Sequence, residues 1–146
     1  MIISTKGRYG VRAVFVLAQK YAEGPQSIKS IAQDQSISET YLEQLFATLR
    51  KAGIIRSTRG ASGGYILAND PSEITVGSVL EALEGPLTPA DCVTGGCKSS
   101  ADCTAHAIWK RIYNGINDVI YSITLQDMLD DYHNSKKTSL DMTGCK

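Results

Sequence analysis

The stretch from Ser27 to Ala68 constrains this chain more than any other. Ser27 can cap a short helix predicted over 28–34, with Ile28, Ile31 and Ala32 facing inward. After the polar break Gln35-Ser36, Ser38 caps a longer helix ending at Ala52, with Gly53 in the position that closes a helix in a left-handed turn. Ile37 precedes that cap and Leu42 lies four residues inside it, the spacing of a hydrophobic staple that fixes how the chain enters the helix. Leu42, Leu45, Phe46, Leu49 and Ala52 make the predicted buried stripe. Two short helices joined by a tight turn read as helix-turn-helix. Residues 54–59, the glycine-rich 60–64 and then 65–68 read as strand, turn, strand, so a β-hairpin follows at once. That order is the winged-helix arrangement.

The flanks extend it. A first helix is expected from Ser4 or Thr5 to about Ala22, stopped by Gly24-Pro25; Gly7 and Gly10 would let its backbone approach something closely. Thr75 caps a helix of about two turns through Leu83, stopped by Gly85-Pro86. Residues 87–103 hold three cysteines and almost no large apolar groups, so they cannot pack by burial alone. From Thr104 to about Ser122 the helical period returns, with Ala105, Ile108, Trp109, Ile112, Ile116, Val119, Ile120 and Ile123 on one face. Thr124 and Asp127 resemble the cap of a last short helix reaching about Tyr132. The expected fold class is mainly α with a small β-hairpin: a winged helix-turn-helix domain at 1–71, a connecting helix within 72–86, a ligand loop at 87–106, dimerisation helices at 104–133 and a flexible tail at 134–146. The long helix has too few partners nearby to bury so wide an apolar face. A second copy of itself is the simplest one, giving a two-fold homodimer; the alternative lays it back over the winged domain.

Charge gives the function its first hint. The 146 residues balance to zero, yet residues 1–70 carry nine Lys/Arg against five Asp/Glu, and residues 71–146 six against ten. A basic front half suits a polyanion. Hydrophobic content of 42% is enough for a core and excludes a disordered chain. The longest apolar run, 11–18, is broken by Arg12, so no membrane span is expected, and no export signal is read at the N-terminus; a cytoplasmic protein follows. No Ser/His/Asp set, paired carboxylates or Walker-type loop suggests an enzyme.

The second helix of a helix-turn-helix lays its first turns in the major groove. Exposed positions there are Glu39, Thr40, Glu43, Gln44 and Thr48. Gln44 can pair with adenine and Glu43 can accept from cytosine; a carboxylate near phosphates is costly, so Glu43 would act partly by rejecting sequences that offer it no amino group. Arg59 leads into the glycine-rich tip and suits a narrow minor groove. Arg50, Lys51 and Arg56 suit phosphates, as do Lys6 and Arg8 with the free amides at the start of the first helix. Any one of these residues alone is equally well an ordinary wet surface.

The cysteines are clustered. Cys92, Cys97, Cys103 and His106 follow the spacing Cys-x4-Cys-x5-Cys-x2-His, while Cys145 stands apart in the tail as a bystander. Three thiolates and an imidazole can hold one zinc or an iron–sulphur cluster. Zinc knuckles favour two-residue gaps, so these longer gaps, with Gly95-Gly96 between them, suit a larger group. A thiol–disulphide switch is the competing chemistry.

Residues 4–13 (Ser-Thr-Lys-Gly-Arg-Tyr-Gly-Val-Arg-Ala), 38–46 (Ser-Glu-Thr-Tyr-Leu-Glu-Gln-Leu-Phe), 50–55, 59–65 (Arg-Gly-Ala-Ser-Gly-Gly-Tyr) and 103–109 (Cys-Thr-Ala-His-Ala-Ile-Trp) resemble the bacterial iron–sulphur cluster regulators of the IscR type, from Met1 to about Leu129. The resemblance implies a homodimeric winged-helix repressor of the cluster-assembly operon, binding a pseudo-palindromic operator in double-stranded DNA. It implies a 2Fe–2S cluster on Cys92, Cys97, Cys103 and His106, delivered by cluster-assembly scaffold proteins. Thr40, Glu43 and Gln44 match the base-reading stretch and Arg59 the wing arginine. The first cysteine gap is one residue shorter than in the best-known members and matches the nitric-oxide-sensing branch, which carries a larger 4Fe–4S cluster and can take an acidic ligand near its N-terminus. Arg8 cannot ligate and His106 is present, which favours 2Fe–2S. A nitric-oxide or thiol-redox regulator of the same fold, or a zinc-stabilised DNA-binding protein, is the alternative.

Overall fold

The computed structural model describes residues 2–142. Six helices and one hairpin appear in the order α1 (Thr5–Gln19), α2 (Ile28–Gln35), α3 (Glu39–Lys51), β1 (Ile55–Thr58), β2 (Gly64–Leu67), α4 (Val76–Glu84), α5 (Thr104–Ser122) and α6 (Leu125–Met142). Four helix starts are set by hydroxyl caps at the expected places. The N–H groups of Gly7, Ser30, Tyr41 and Ser78 donate to the side chains of Ser4, Ser27, Ser38 and Thr75. Each cap satisfies one of the N–H groups a helix start leaves without an internal partner.

The core lies where α1, α2, α3, α4 and the start of α6 meet, filled by Val14, Ile31, Leu42, Leu45, Phe46 and Leu49, with Ile37 packed against it beside the α3 cap. Ala52 does not join the buried stripe: it forms the C-cap of α3 and is exposed, because Gly53 at φ 77° has already turned the chain toward β1. The strands pair antiparallel, Ile55 with Leu67 through Thr58 with Gly64. Gln26 and Tyr65 exchange both backbone hydrogen bonds, at 3.0 and 2.8 Å, so the segment before α2 braces the hairpin on its far side. The wing is thereby fixed to the helix-turn-helix rather than hinged on its own turn.

A second bridge organises the other end. Val76 N–H donates to Ile123 O at 2.8 Å and Leu125 N–H to Ile74 O at 2.9 Å, which pins the α5–α6 junction to the start of α4. From there α6 returns across α1, burying Leu125 and Leu129 and placing Tyr132 edge-on to Phe15 at 5.7 Å.

Two helix lengths differ from the expectation. α1 stops at Gln19 rather than near Ala22, because the chain tightens into a short 3-10 turn at Tyr21–Glu23 before Gly24 at φ 87°. α6 runs on to Met142 rather than ending near Tyr132, so most of the expected tail is helical. The extension is polar, held by local contacts rather than burial: Lys136 sits 4.6 Å over the Tyr132 ring and Thr138 Oγ1 donates to Asn134 O. Cys145 lies outside the described residues. No described helix is long and apolar enough to cross a membrane.

Candidate nucleic-acid interface and cysteine loop

Thr40, Glu43 and Gln44 are exposed along the first turns of α3, and Arg50 and Lys51 are exposed in its last turn. Thr48 is less free, since its hydroxyl donates back to Gln44 O at 3.3 Å. Arg59 sits at the hairpin tip among exposed residues, next to Gly60 at φ 108°. The hairpin neck just below is closed by Thr58 Oγ1, which accepts from Gly64 N–H at 3.2 Å. Arg50 reaches Ser57 Oγ on β1 at 3.4 Å, so the end of α3 and the wing present their cations together.

Among the described residues the ion pair within 4 Å is Lys20–Asp34, at 3.7 Å. Lys6, Arg8, Arg50, Lys51, Arg56 and Arg59 are all exposed and lack a carboxylate partner there. Exposed cations without a carboxylate partner are free to contact phosphate, although Lys98, Lys110 and Arg111 in the other half are equally exposed and unpaired. Arg12 is committed elsewhere: its Nε donates to Gln35 Oε1 at 2.9 Å and its guanidinium lies 5.2 Å over the Tyr9 ring, locking α1 to the end of α2.

Two of the amides at the start of α1, those of Ser4 and Gly7, are already engaged. Ser4 N–H and Oγ and Gly7 N–H all donate to one carboxylate oxygen of Glu84, the last residue of α4. For the Ser4 and Gly7 amides the place expected for a phosphate is taken by a side chain of the protein itself, and Lys6 and Arg8 remain exposed beside them. The close approach expected at Gly7 and Gly10 is real and is made by α4: a Cβ on Gly7 would meet the Glu84 carboxylate at 2.6 Å. Local reading missed Glu84, although the two glycines mark the face on which its partner lies.

The cysteine loop leaves α4 at Gly85 and forms a short 3-10 turn, Asp91–Val93, followed by further turns up to α5. Cys92 and Cys97 are half-buried free thiols and Cys103, the N-cap of α5, is an exposed one. His106 lies in the first turn of α5, and its Nδ1 is buried with no hydrogen-bond partner. A buried polar nitrogen left unpaired is costly and calls for an explanation. By donor type the four residues fit a sulphur- and nitrogen-ligated group. Their side chains do not converge, since among the described residues no three His, Cys, Asp or Glu side chains are gathered as a metal site.

α5 completes the picture. None of its 19 residues is fully buried. Val119 is 58% exposed and Ile108 51%, and Trp109, Ile112 and Ile123 are exposed on the same helix or at its end.

Residues 3–131 match the Rrf2 family model, described as iron-dependent transcriptional regulators. The chain belongs to the Rrf2 family. This Rrf2-family protein is 44% identical to the HTH-type transcriptional regulator CymR of Bacillus subtilis over 88% of its own length and 89% of the relative's. It is 37% identical to the HTH-type transcriptional regulator IscR of Escherichia coli over 90% of its length and 82% of that protein's. Among solved structures it is similar to T. potens IscR, with a TM-score of 0.77 at 47% identity, covering 92% of this chain and 90% of that one. The Rrf2 family is one of DNA-binding transcriptional regulators, not of enzymes. The winged-helix fold class is shared with the T. potens IscR structure, and the comparisons establish the family that the CymR and IscR names share rather than either subtype.

Proposed function

We propose that this Rrf2-family protein is a cytoplasmic homodimeric repressor of the iron–sulphur cluster assembly operon. In this reading it binds a pseudo-palindromic operator, and a 2Fe–2S cluster on the 92–106 loop sets its affinity. The carrying observation is the buried, unpartnered His106 Nδ1 on the same loop as three free thiols. Cys92, Cys97, Cys103 and His106 would hold the group. When bound, it would supply redox-labile bonds to three thiolate sulphurs and one imidazole nitrogen, tying four points of the 92–106 segment together. The cluster would come from assembly scaffold proteins.

The chain's own residues do the rest. Thr40, Glu43 and Gln44 read base edges, Arg59 enters the minor groove, and Arg50, Lys51, Lys6 and Arg8 contact phosphates. The apolar face of α5 pairs with its copy and sets the distance between two recognition helices, which must match one DNA turn of about 34 Å. His106 is part of α5, so a loop held at His106 acts directly on the element that spaces the two reading heads. A coupling of ~1–3 kcal/mol between loop and operator corresponds to about 5–150-fold in affinity.

The test is an anaerobic preparation with iron and sulphide analysis, followed by gel shifts of loaded and empty protein on a cluster-assembly promoter. Iron with matching sulphide and a shifted affinity support the reading. A second reading is favoured by the identity to CymR, the global cysteine regulator of B. subtilis: a regulator of cysteine supply acting through the free thiols. It predicts colourless protein whose DNA affinity changes on thiol oxidation.

A further inference from the structure

We infer that Glu84 is the positioning residue that holds Lys6 and Arg8 against the DNA backbone, and that it links their placement to the root of the cysteine loop. The inference rests on the proposed phosphate role of those two cations.

Glu84 is the last residue of α4, where a carboxylate faces the negative end of its own helix dipole. Its position is explained by what it reaches, the positive start of α1, where it accepts from Ser4 N–H, Ser4 Oγ and Gly7 N–H. Lys6 and Arg8 lie on either side of Gly7 in that same first turn. The contact exists because residue 7 has no side chain.

The other end of α4 is gripped similarly. Gly77 lies under the Tyr121 ring, where a Cβ would meet ring carbons at 2.8 Å, and the Tyr121 hydroxyl donates to Glu81. Thus α4 holds α5 through Gly77 and Glu81 and holds α1 through Glu84. The next residue, Gly85 at φ 75°, begins the cysteine loop, and Leu87 two residues on is buried. Glu84 therefore joins the loop root to the first turn of α1 through one side chain.

The readout is the slope of log affinity against log salt for the full-length chain on a random-sequence duplex, which counts phosphate contacts at about 0.9 each. Replacing both Lys6 and Arg8 by Ala should lower the slope by about 1.8 for each subunit engaged, or about 3.6 for the dimer. Glu84→Ala should lower it by the same amount with both cations still present. Glu84→Gln, which keeps an oxygen able to accept from Ser4 and Gly7, should retain the wild-type slope. Gly7→Ala displaces the carboxylate without altering its charge, puts a better helix former in the turn, and should behave like Glu84→Ala; it carries the test if Glu84→Ala does not fold. Wild-type slopes for Glu84→Ala and Gly7→Ala, with a reduced slope for the Lys6/Arg8 variant, overturn the role of Glu84 alone. An unchanged slope for the Lys6/Arg8 variant overturns the phosphate role of α1 and this inference with it.

Discussion

Gly10 of α1 and Leu83 of α4 touch so closely that a Cβ on Gly10 would lie 2.0 Å from Leu83 Cδ1. Leu83 is 5% exposed and has no room to retreat. Gly10→Ala gains helix propensity but overpacks this crossing, for a net cost of about 1–3 kcal/mol. Chemical denaturation measures it. Leu83→Ala should relieve part of the penalty in a double-mutant cycle, and additive effects would show that the two positions do not meet.

Base reading and phosphate contact separate experimentally. Gln44→Ala should cost about 1–3 kcal/mol on the preferred operator and little on random duplex. Arg50→Ala and Lys51→Ala should weaken both duplexes alike and each lower the salt slope by about 0.9 per engaged subunit, about 1.8 for the dimer. Equal losses for Gln44→Ala on both duplexes would remove it from the base-reading set.

The Tyr121–Glu81 contact is sensitive to alkaline pH. The Tyr121 phenol is pushed up to about 12, first by the hydrogen bond to Glu81, then by burial and by the Glu81 and Tyr113 charges. An unfolded tyrosine ionises near 10. A raised value means the folded chain keeps the proton longer. The contribution is complete below pH ~10 and is lost as the pH climbs toward 12. Stability of the wild-type chain should fall more steeply over that window than that of Tyr121→Phe; parallel curves would contradict the contact.

The α5 face should be what holds two copies together. Val119→Glu and Ile112→Glu place carboxylates in an exposed apolar stripe. Sedimentation should then give a monomer, with operator affinity reduced to that of a single half-site. A variant chain that remains dimeric would move the interface elsewhere.

Much of the fold was legible because its signals are local. Ser27, Ser38 and Thr75 each cap the helix they precede, and Gly53 closes α3, so spacing alone placed these elements. The extension of α6 was hidden because residues after Tyr132 carry no apolar period; a cation over an aromatic ring and a backbone contact hold the helix there instead. Glu84 was hidden for another reason: its partner Ser4 lies 80 residues away, and only the bare backbone at Gly7 hints at a neighbour. The candidate donors were legible as a cluster along the chain, since their order and spacing are written there. Their convergence is not legible there, and among the described residues no three such side chains gather as a metal site.

The most direct test of the central claim is operator affinity of oxygen-free protein, measured before and after iron removal alongside its visible spectrum and its iron and sulphide content. The account predicts a coloured protein with iron and sulphide in equal amounts, bands lost in a Cys92→Ala variant, and an operator affinity that changes about 5–150-fold when the iron leaves. Colourless protein without iron, or an affinity indifferent to its removal, would contradict it.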